Sequence, residues 1–141
     1  MTTTLDGPEV SPRLKHPAKG QVLHRLVGVG FAAAAIGNAI GTIRQAPSFL
    51  QWLAAGAWIP PYPWLLQHLA DRPYAVVGAT AIFEAVVAAM LITRWHERVA
   101  LALATLFVLG LIPALAWPYW LVNVPLGMLF GALWWRSGQH K

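Results

Sequence analysis

The apolar run at residues 99–135 constrains the fold of this chain more than any other feature. It is 37 residues long and contains no charged residue. A single helix of that length would measure about 55 Å, whereas the hydrocarbon core of a bilayer is about 30 Å thick. The run must therefore fold back on itself. We place the break at AWPYW, residues 116–120, because Pro118 disfavours helix at the residue before it and aromatic side chains favour the membrane interface.

Two further apolar runs precede it. Residues 26–43 contain no charge, and residues 73–93 contain only Glu84. The chain is 57% hydrophobic and 11% charged, whereas soluble domains carry about a quarter charged residues. A signal peptide is the alternative for the first run, although no clean cleavage site follows it. The sequence predicts an all-α integral membrane four-helix bundle in domain 23–135, with spans at about 24–43, 74–93, 99–116 and 119–135.

The basic residues predict the orientation of these spans. Cytoplasmic loops carry an excess of Lys and Arg. Arg44 and Arg72 lie on one side of the predicted bundle, and the other eight basic residues lie on the opposite side. Both termini are therefore expected in the cytoplasm, as a flexible tail at 1–22 and a short tail at 136–141. Nucleic acid is not an expected partner, because these residues flank apolar runs and form no stripe with aromatics. The eight residues are Arg13, Lys15, Lys19, Arg25, Arg94, Arg98, Arg136 and Lys141.

The segment between the first two spans, residues 45–72, is expected outside the cytoplasm. It is rich in Trp and Leu, and PPYP divides it into pieces too short to cross a bilayer. We predict two short interfacial helices, at about 47–57 and 62–70. They form either part of an aromatic belt or a cap over a cavity.

Three polar side chains lie inside the predicted spans: Asn38, Glu84 and Asn123. Counting 1.5 Å per residue places the two amides at a matched depth of about 8 Å, with Glu84 deeper. A carboxyl group there is tolerable if it is protonated, if it accepts hydrogen bonds from Asn38, Thr80 or Asn123, or if it contacts a wet cavity. In each case Glu84 faces the bundle. These three residues are the candidates for a ligand or proton site.

Small residues recur at four-residue spacing on three spans. The rows are Ala33, Gly37 and Gly41 on the first, Ala81, Ala85 and Ala89 on the second, and Gly127 and Gly131 on the fourth. Such rows allow close approach of helices in lipid. They favour packing within the bundle, with homodimerisation as the alternative.

The sequence contains no recognisable catalytic or metal site. It has no cysteine, which excludes thiolate ligands and a cysteine nucleophile. No two of its five histidines stand three or four residues apart, so no helical metal pair is expected. There is no nucleophile elbow and no phosphate loop. His24 and His96 are expected to be solvated or to cap helix ends.

Several features together resemble the DoxX and DoxX-like membrane proteins. They are the basic opening of the first span at Arg25, the aromatic outer segment with Phe49 and WIPPYP, Glu84 in the second span, and the basic turn with Arg94 and Arg98. The resemblance covers about residues 23–135. One departure is Asn38, since such proteins often place a lysine there. A mechanism that needs a lysine–glutamate pair is therefore in doubt for this chain.

The resemblance implies a multi-pass protein of a bacterial-type inner membrane. Some members of the family are subunits of thiosulfate:quinone oxidoreductase. The first hypothesis is thus an accessory component of a quinone-linked membrane redox assembly, bound to another membrane or membrane-associated protein. Quinone is implied by the resemblance alone. The alternatives are a small-solute or proton-linked transporter that uses Glu84, with Asn38 and Asn123 lining its cavity, and a purely structural membrane subunit.

Overall fold

The computed structural model describes residues 19–139, and this part of the chain contains helices and no strand. The predicted tails 1–22 and 136–141 lie outside the described residues, except for 19–22 and 136–139. Those two stretches belong mostly to helices that continue past the predicted span ends. The six α-helices are α1 Lys19–Ile40, α2 Ala46–Gly56, α3 Tyr62–Leu69, α4 Pro73–Thr93, α5 Glu97–Leu111 and α6 Trp120–Gly138.

Three segments are long and apolar enough to cross a membrane: Val22–Ile40, Pro73–Thr93 and Glu97–Ala114. The expectation of an all-helical fold with membrane-spanning helices is confirmed to that extent. The fourth long helix, α6, has 19 residues, but it is less apolar because it includes Asn123, Pro125 and Arg136.

The helix ends differ from the predicted spans where proline and glycine act locally. α1 starts at Lys19, five residues before the predicted start of the first span, and residues 19–23 contain no proline that would oppose the helix. It ends at Ile40, and a 3-10 turn, Thr42–Gln45, leads to α2. α5 ends at Leu111 and a second 3-10 turn, Ile112–Ala114, follows it, since Pro113 has no N–H to continue the helical ladder.

The four long helices share one hydrophobic core, which we call the main core. α1 packs along α4, α5 packs along α6, and α4 contacts α5. At the centre, Phe31 of α1 lies 6.4 Å from Phe107 of α5 and 5.9 Å from Phe130 of α6, between ring centroids. Phe83 of α4 lies 5.0 Å from Phe107. These rings join all four helices at one level.

A second, smaller core lies between α2 and α3. We call these two helices the cap. Leu50, Leu53 and Leu66 are buried there against Ala114. The backbone N–H of Trp58 donates to Pro113 O at 3.2 Å, and its indole N–H donates to Ile112 O at 3.3 Å. The cap is therefore fastened to the connection between α5 and α6.

Candidate functional site

Glu84 lies on the face of α4 that packs into the protein. The buried residues of this helix include Val77, Ala81, Glu84, Val87 and Leu91, which recur every three or four positions and so form one stripe. Glu84 is only 4% exposed. The geometry agrees with the expectation that this carboxyl group faces other helices.

Asn38 of α1 is the hydrogen-bond partner of Glu84. Its Nδ2 donates to Glu84 Oε2 at 2.7 Å. The two residues are 46 positions apart in the sequence, so the bond joins α1 to α4. Leaving a buried polar group without its partner costs about 1–3 kcal/mol. The pair therefore stabilises the α1–α4 contact, and it fixes how the two helices are rotated toward each other.

The other two predicted donors do not hydrogen-bond to Glu84. The hydroxyl of Thr80 donates to Val76 O at 3.0 Å, within its own helix. Asn123 Nδ2 is buried and has no hydrogen-bond partner among residues 19–139. The expected meeting of the two amides is therefore not seen as a hydrogen bond. The reason is that α6, which carries Asn123, packs mainly along α5, whereas Asn38 turns toward α4.

An open groove of about 520 Å³ lies beside this pair, where α1 approaches the cap. Asn38 forms part of its wall. Small residues leave room along α1, and a phenylalanine from α2 closes one side. The lining residues are Ala34, Gly37, Asn38, Gly41, Thr42, Gln45 and Phe49.

The predicted rows of small residues on α1 and α6 occupy different environments. Gly127 of α6 is buried, and a Cβ added there would lie 2.5 Å from Leu109 Cδ2. A Cβ at Gly131 would make an ordinary contact, 3.9 Å from Thr105. By contrast, Gly37 and Gly41 are exposed, and a Cβ at Gly37 would have no neighbour within 4 Å among the described residues. The α6 row is thus used inside the chain, while the α1 row is left uncovered.

Gly28 makes the close α1–α4 approach instead. A Cβ added there would lie 2.9 Å from Ile92 Cγ1, 3.1 Å from Leu91 Cβ and 3.2 Å from Ala88 O. Val27, Phe31 and Ala35 are buried on the same side of α1. The face of α1 that meets α4 is therefore rotated away from the row of small residues.

His24 and Glu97 form a second polar contact, which the sequence did not reveal. The Nδ1 atom of His24 lies against Oε1 of Glu97, at the start of α5. Arg94 Nε donates to Glu97 Oε2 at 3.1 Å. His24 is 8% exposed, so of the two expected roles, solvated or helix-capping, the solvated one is wrong. The available signal was spacing, since His24 continues the buried series Val27, Phe31 and Ala35 by one turn toward the N-terminus.

Residues 19–139 contain no group of three or more His, Cys, Asp or Glu side chains that could hold a metal ion. Of the remaining histidines in this part, His68 Nδ1 lies 2.9 Å from Trp64 O, and His96 is exposed. The polar groups that remain for chemistry in the described residues are the Asn38–Glu84 pair, the groove beside it, the buried amide of Asn123 and the His24–Glu97 contact.

Comparisons of the chain with protein-family models, with curated proteins and with solved structures gave no significant match.

Proposed function

We propose that this chain is a four-span membrane protein in which α6 is the fourth span. Three observations support the proposal. The main core includes Phe130 and Leu133 of α6 together with residues of the other three long helices. At 1.5 Å per residue, α6 is about 28 Å long, close to the thickness of a hydrocarbon core. Large exposed aromatics cluster toward both ends of the long helices, as expected for membrane interfaces. They are Trp58, Trp64, Tyr74, Trp117 and Tyr119 near the cap, and Trp95 and Trp135 at the opposite end.

In this proposal the cap lies at the outer interface of a bacterial-type inner membrane, and both termini are cytoplasmic. Arg44 and Arg72 flank the cap, while the other end of the long helices carries four arginines, Arg25, Arg94, Arg98 and Arg136. The larger number of basic residues at the end opposite the cap supports a cytoplasmic position for that end. The short helices α2 and α3 carry exposed Trp52 and Trp64, which suits an interfacial position.

We infer that the protein acts as an accessory component of a membrane redox assembly and binds another membrane protein. The observation that carries this inference is the uncovered face of α1. Gly30 and Ala33 are exposed, and a Cβ at Gly30 would have no neighbour within 4 Å in the described part of the chain. In lipid, such a face allows the backbone of another helix to approach closely. A quinone-linked assembly is the form that the resemblance to DoxX-like proteins implies.

The test is mass spectrometry of the intact complex after gentle solubilisation of native membranes. We expect a stoichiometric second protein, which is lost when Ala33→Leu fills the uncovered face. Ala85→Leu is the matched control, because Ala85 is exposed on α4 and receives the same substitution. A lone monomer would contradict the proposal. A species containing two copies of this chain and nothing else would replace it with homodimerisation.

Proton-linked transport is the second candidate, and the burial of Glu84 beside the groove favours it. Buried ionisable groups inside spans often belong to ion pathways. Glu84→Gln keeps the shape of the side chain and removes the titrating group. If the protein transports a solute with protons, flux into proteoliposomes loses its pH dependence in this variant, over about pH 5 to 8. Unchanged flux at every pH would exclude a proton-carrying role for Glu84.

A further inference from the structure

We propose that the groove beside Asn38 binds the headgroup of a neutral, lipid-soluble molecule that carries a hydroxyl donor, such as a phenol or an alcohol. The inference rests on the proposed placement of the chain in a membrane. It goes beyond the proposed accessory role because it assigns a ligand site to this chain itself.

The hydrogen-bonding groups of the groove determine the polarity of the ligand. Asn38 uses its Nδ2 to donate to Glu84. The groove wall also carries the carbonyl oxygen of Asn38, the hydroxyl of Thr42 and the amide of Gln45. The hydroxyl and the Gln45 amide can both donate and accept hydrogen bonds. A ligand hydroxyl, which also does both, complements them better than a group that only accepts.

The charge of the groove selects a neutral ligand. None of the described residues that line it is charged. The nearest carboxyl group identified by a contact is Glu84, behind Asn38, which disfavours phosphate or carboxylate ligands. A cation would find no carboxylate in the lining itself. A hydroxyl group satisfies the acceptors without bringing a charge into an apolar region.

The shape of the groove accommodates a ring. Gly37 and Gly41 leave the backbone of α1 exposed, so a flat group can lie against it. Phe49 stands on the opposite wall, and its ring stacks with Trp52 at a centroid distance of 6.3 Å. The volume of about 520 Å³ falls within the usual range for small-molecule sites, about 300–1,000 Å³. Because the groove is open and not an enclosed cavity, in the proposed membrane placement the ligand enters from the lipid and leaves its apolar tail there.

Photolabelling of the full chain in lipid nanodiscs tests the proposal. The probe is a 4-alkylphenol with a diazirine on its alkyl chain, and labelled peptides are identified by mass spectrometry. We expect labels in residues 33–49, displaced by 4-nonylphenol but not by its methyl ether, which has no donor. Gly37→Leu, which fills the groove, should reduce this labelling about tenfold or more. Thr42→Val, which removes one acceptor, should reduce it between twofold and tenfold.

Gly78→Leu is the matched control, because a Cβ at Gly78 of α4 would also have no neighbour within 4 Å among the described residues and Gly78 does not line the groove. Its labelling should match the unmodified chain. Equal displacement by the methyl ether would overturn the proposal, as would labelling spread evenly over exposed residues of α4 such as Ile82, since either result indicates general partitioning into lipid. If labelling is absent but the partner still co-purifies, the ligand site is contradicted and the accessory role is not. If labelling is specific but no partner co-purifies, the accessory role is contradicted and the ligand site is not.

Discussion

The two polar contacts that join α1 to other helices differ in chemistry and in surroundings. Asn38 and Glu84 form a single hydrogen bond between an amide and a carboxyl group, next to apolar neighbours on α4. His24 and Glu97 belong to a network that also includes Arg94, a residue whose side chain is 43% exposed. Along α1 the two contacts are 14 residues apart, or about 21 Å.

This difference shows how one helix, α1, can be held to two neighbours, α4 and α5, by unlike means. None of the described residues places a basic group against the Asn38–Glu84 hydrogen bond. The strength of this bond therefore depends on the exclusion of water, and breaking it leaves the carboxyl group buried without a partner. The His24 network lies at the end of the helices, where solvent and ions screen charge. Gly28 lies between the two contacts, one turn from His24, and sets the distance between α1 and α4.

The largest effect is expected where both contacts fail together. Gly28→Leu places a side chain where even a Cβ would lie 2.9 Å from Ile92 and 3.2 Å from the carbonyl of Ala88. α1 must move away from α4, which strains both contacts. Overpacking of this kind costs about 3 kcal/mol, measured as the free energy of unfolding of the reconstituted protein. Gly30→Leu is the control and should change it little, and equal effects of the two variants would contradict the assigned packing face.

Asn38→Leu tests the Asn38–Glu84 contact separately from the His24–Glu97 contact. The variant leaves Glu84 buried without its donor, and we expect a loss of about 2 kcal/mol in the free energy of unfolding. The double variant Asn38→Leu with Glu84→Leu should recover most of that loss, because replacing both partners with apolar groups is nearly neutral. If the double variant instead costs the sum of the two single changes, the hydrogen bond is not what couples the residues.

Much of the helical framework was predictable from the sequence, because apolar runs and proline positions are local signals. The break before α6 lies where Pro118 predicted it, and α4 covers the run that contains Glu84. Asn38 was one of three predicted donors for Glu84, since its depth could be counted along the helix. These features depend on spacing within one segment, and spacing can be read directly from a sequence.

The rotation of α1 was not predictable in the same way. Two faces of this helix show helical spacing: the row through Ala33 and Gly37, and the series through Gly28, Phe31 and Ala35. In a soluble protein, water would distinguish them, because the apolar face turns inward. In lipid both faces can be apolar, so the pattern does not say which one meets a neighbour. The contacts of His24 and Gly28 follow from the second face, and for that reason the sequence did not reveal them.

Weakening the His24–Glu97 contact should have a smaller effect on stability than weakening the Asn38–Glu84 contact. Glu97→Gln removes the charge that His24 and Arg94 share and keeps the shape of the side chain. We expect a loss of about 1 kcal/mol in the free energy of unfolding, since the carboxyl group is only partly buried. A double-mutant cycle with Arg94→Met measures the coupling between the Glu97 carboxylate and the Arg94 guanidinium. This coupling should fall as salt rises, while that between Asn38 and Glu84 should not, and an equal response to salt would erase the distinction between the contacts.

The smallest effect is expected from the exposed member of the network. Arg94→Met removes the guanidinium that donates to Glu97 and keeps a long side chain at this position. Because more than a third of the Arg94 side chain is exposed, solvent screens the interaction, and the loss should be about 0.5 kcal/mol or less. Met has a Cβ as Arg does, so the left-handed backbone at this residue, with φ of 62°, is equally strained in both proteins and cancels in the comparison. A loss as large as that of Glu97→Gln would place Arg94, rather than His24, as the main partner of Glu97.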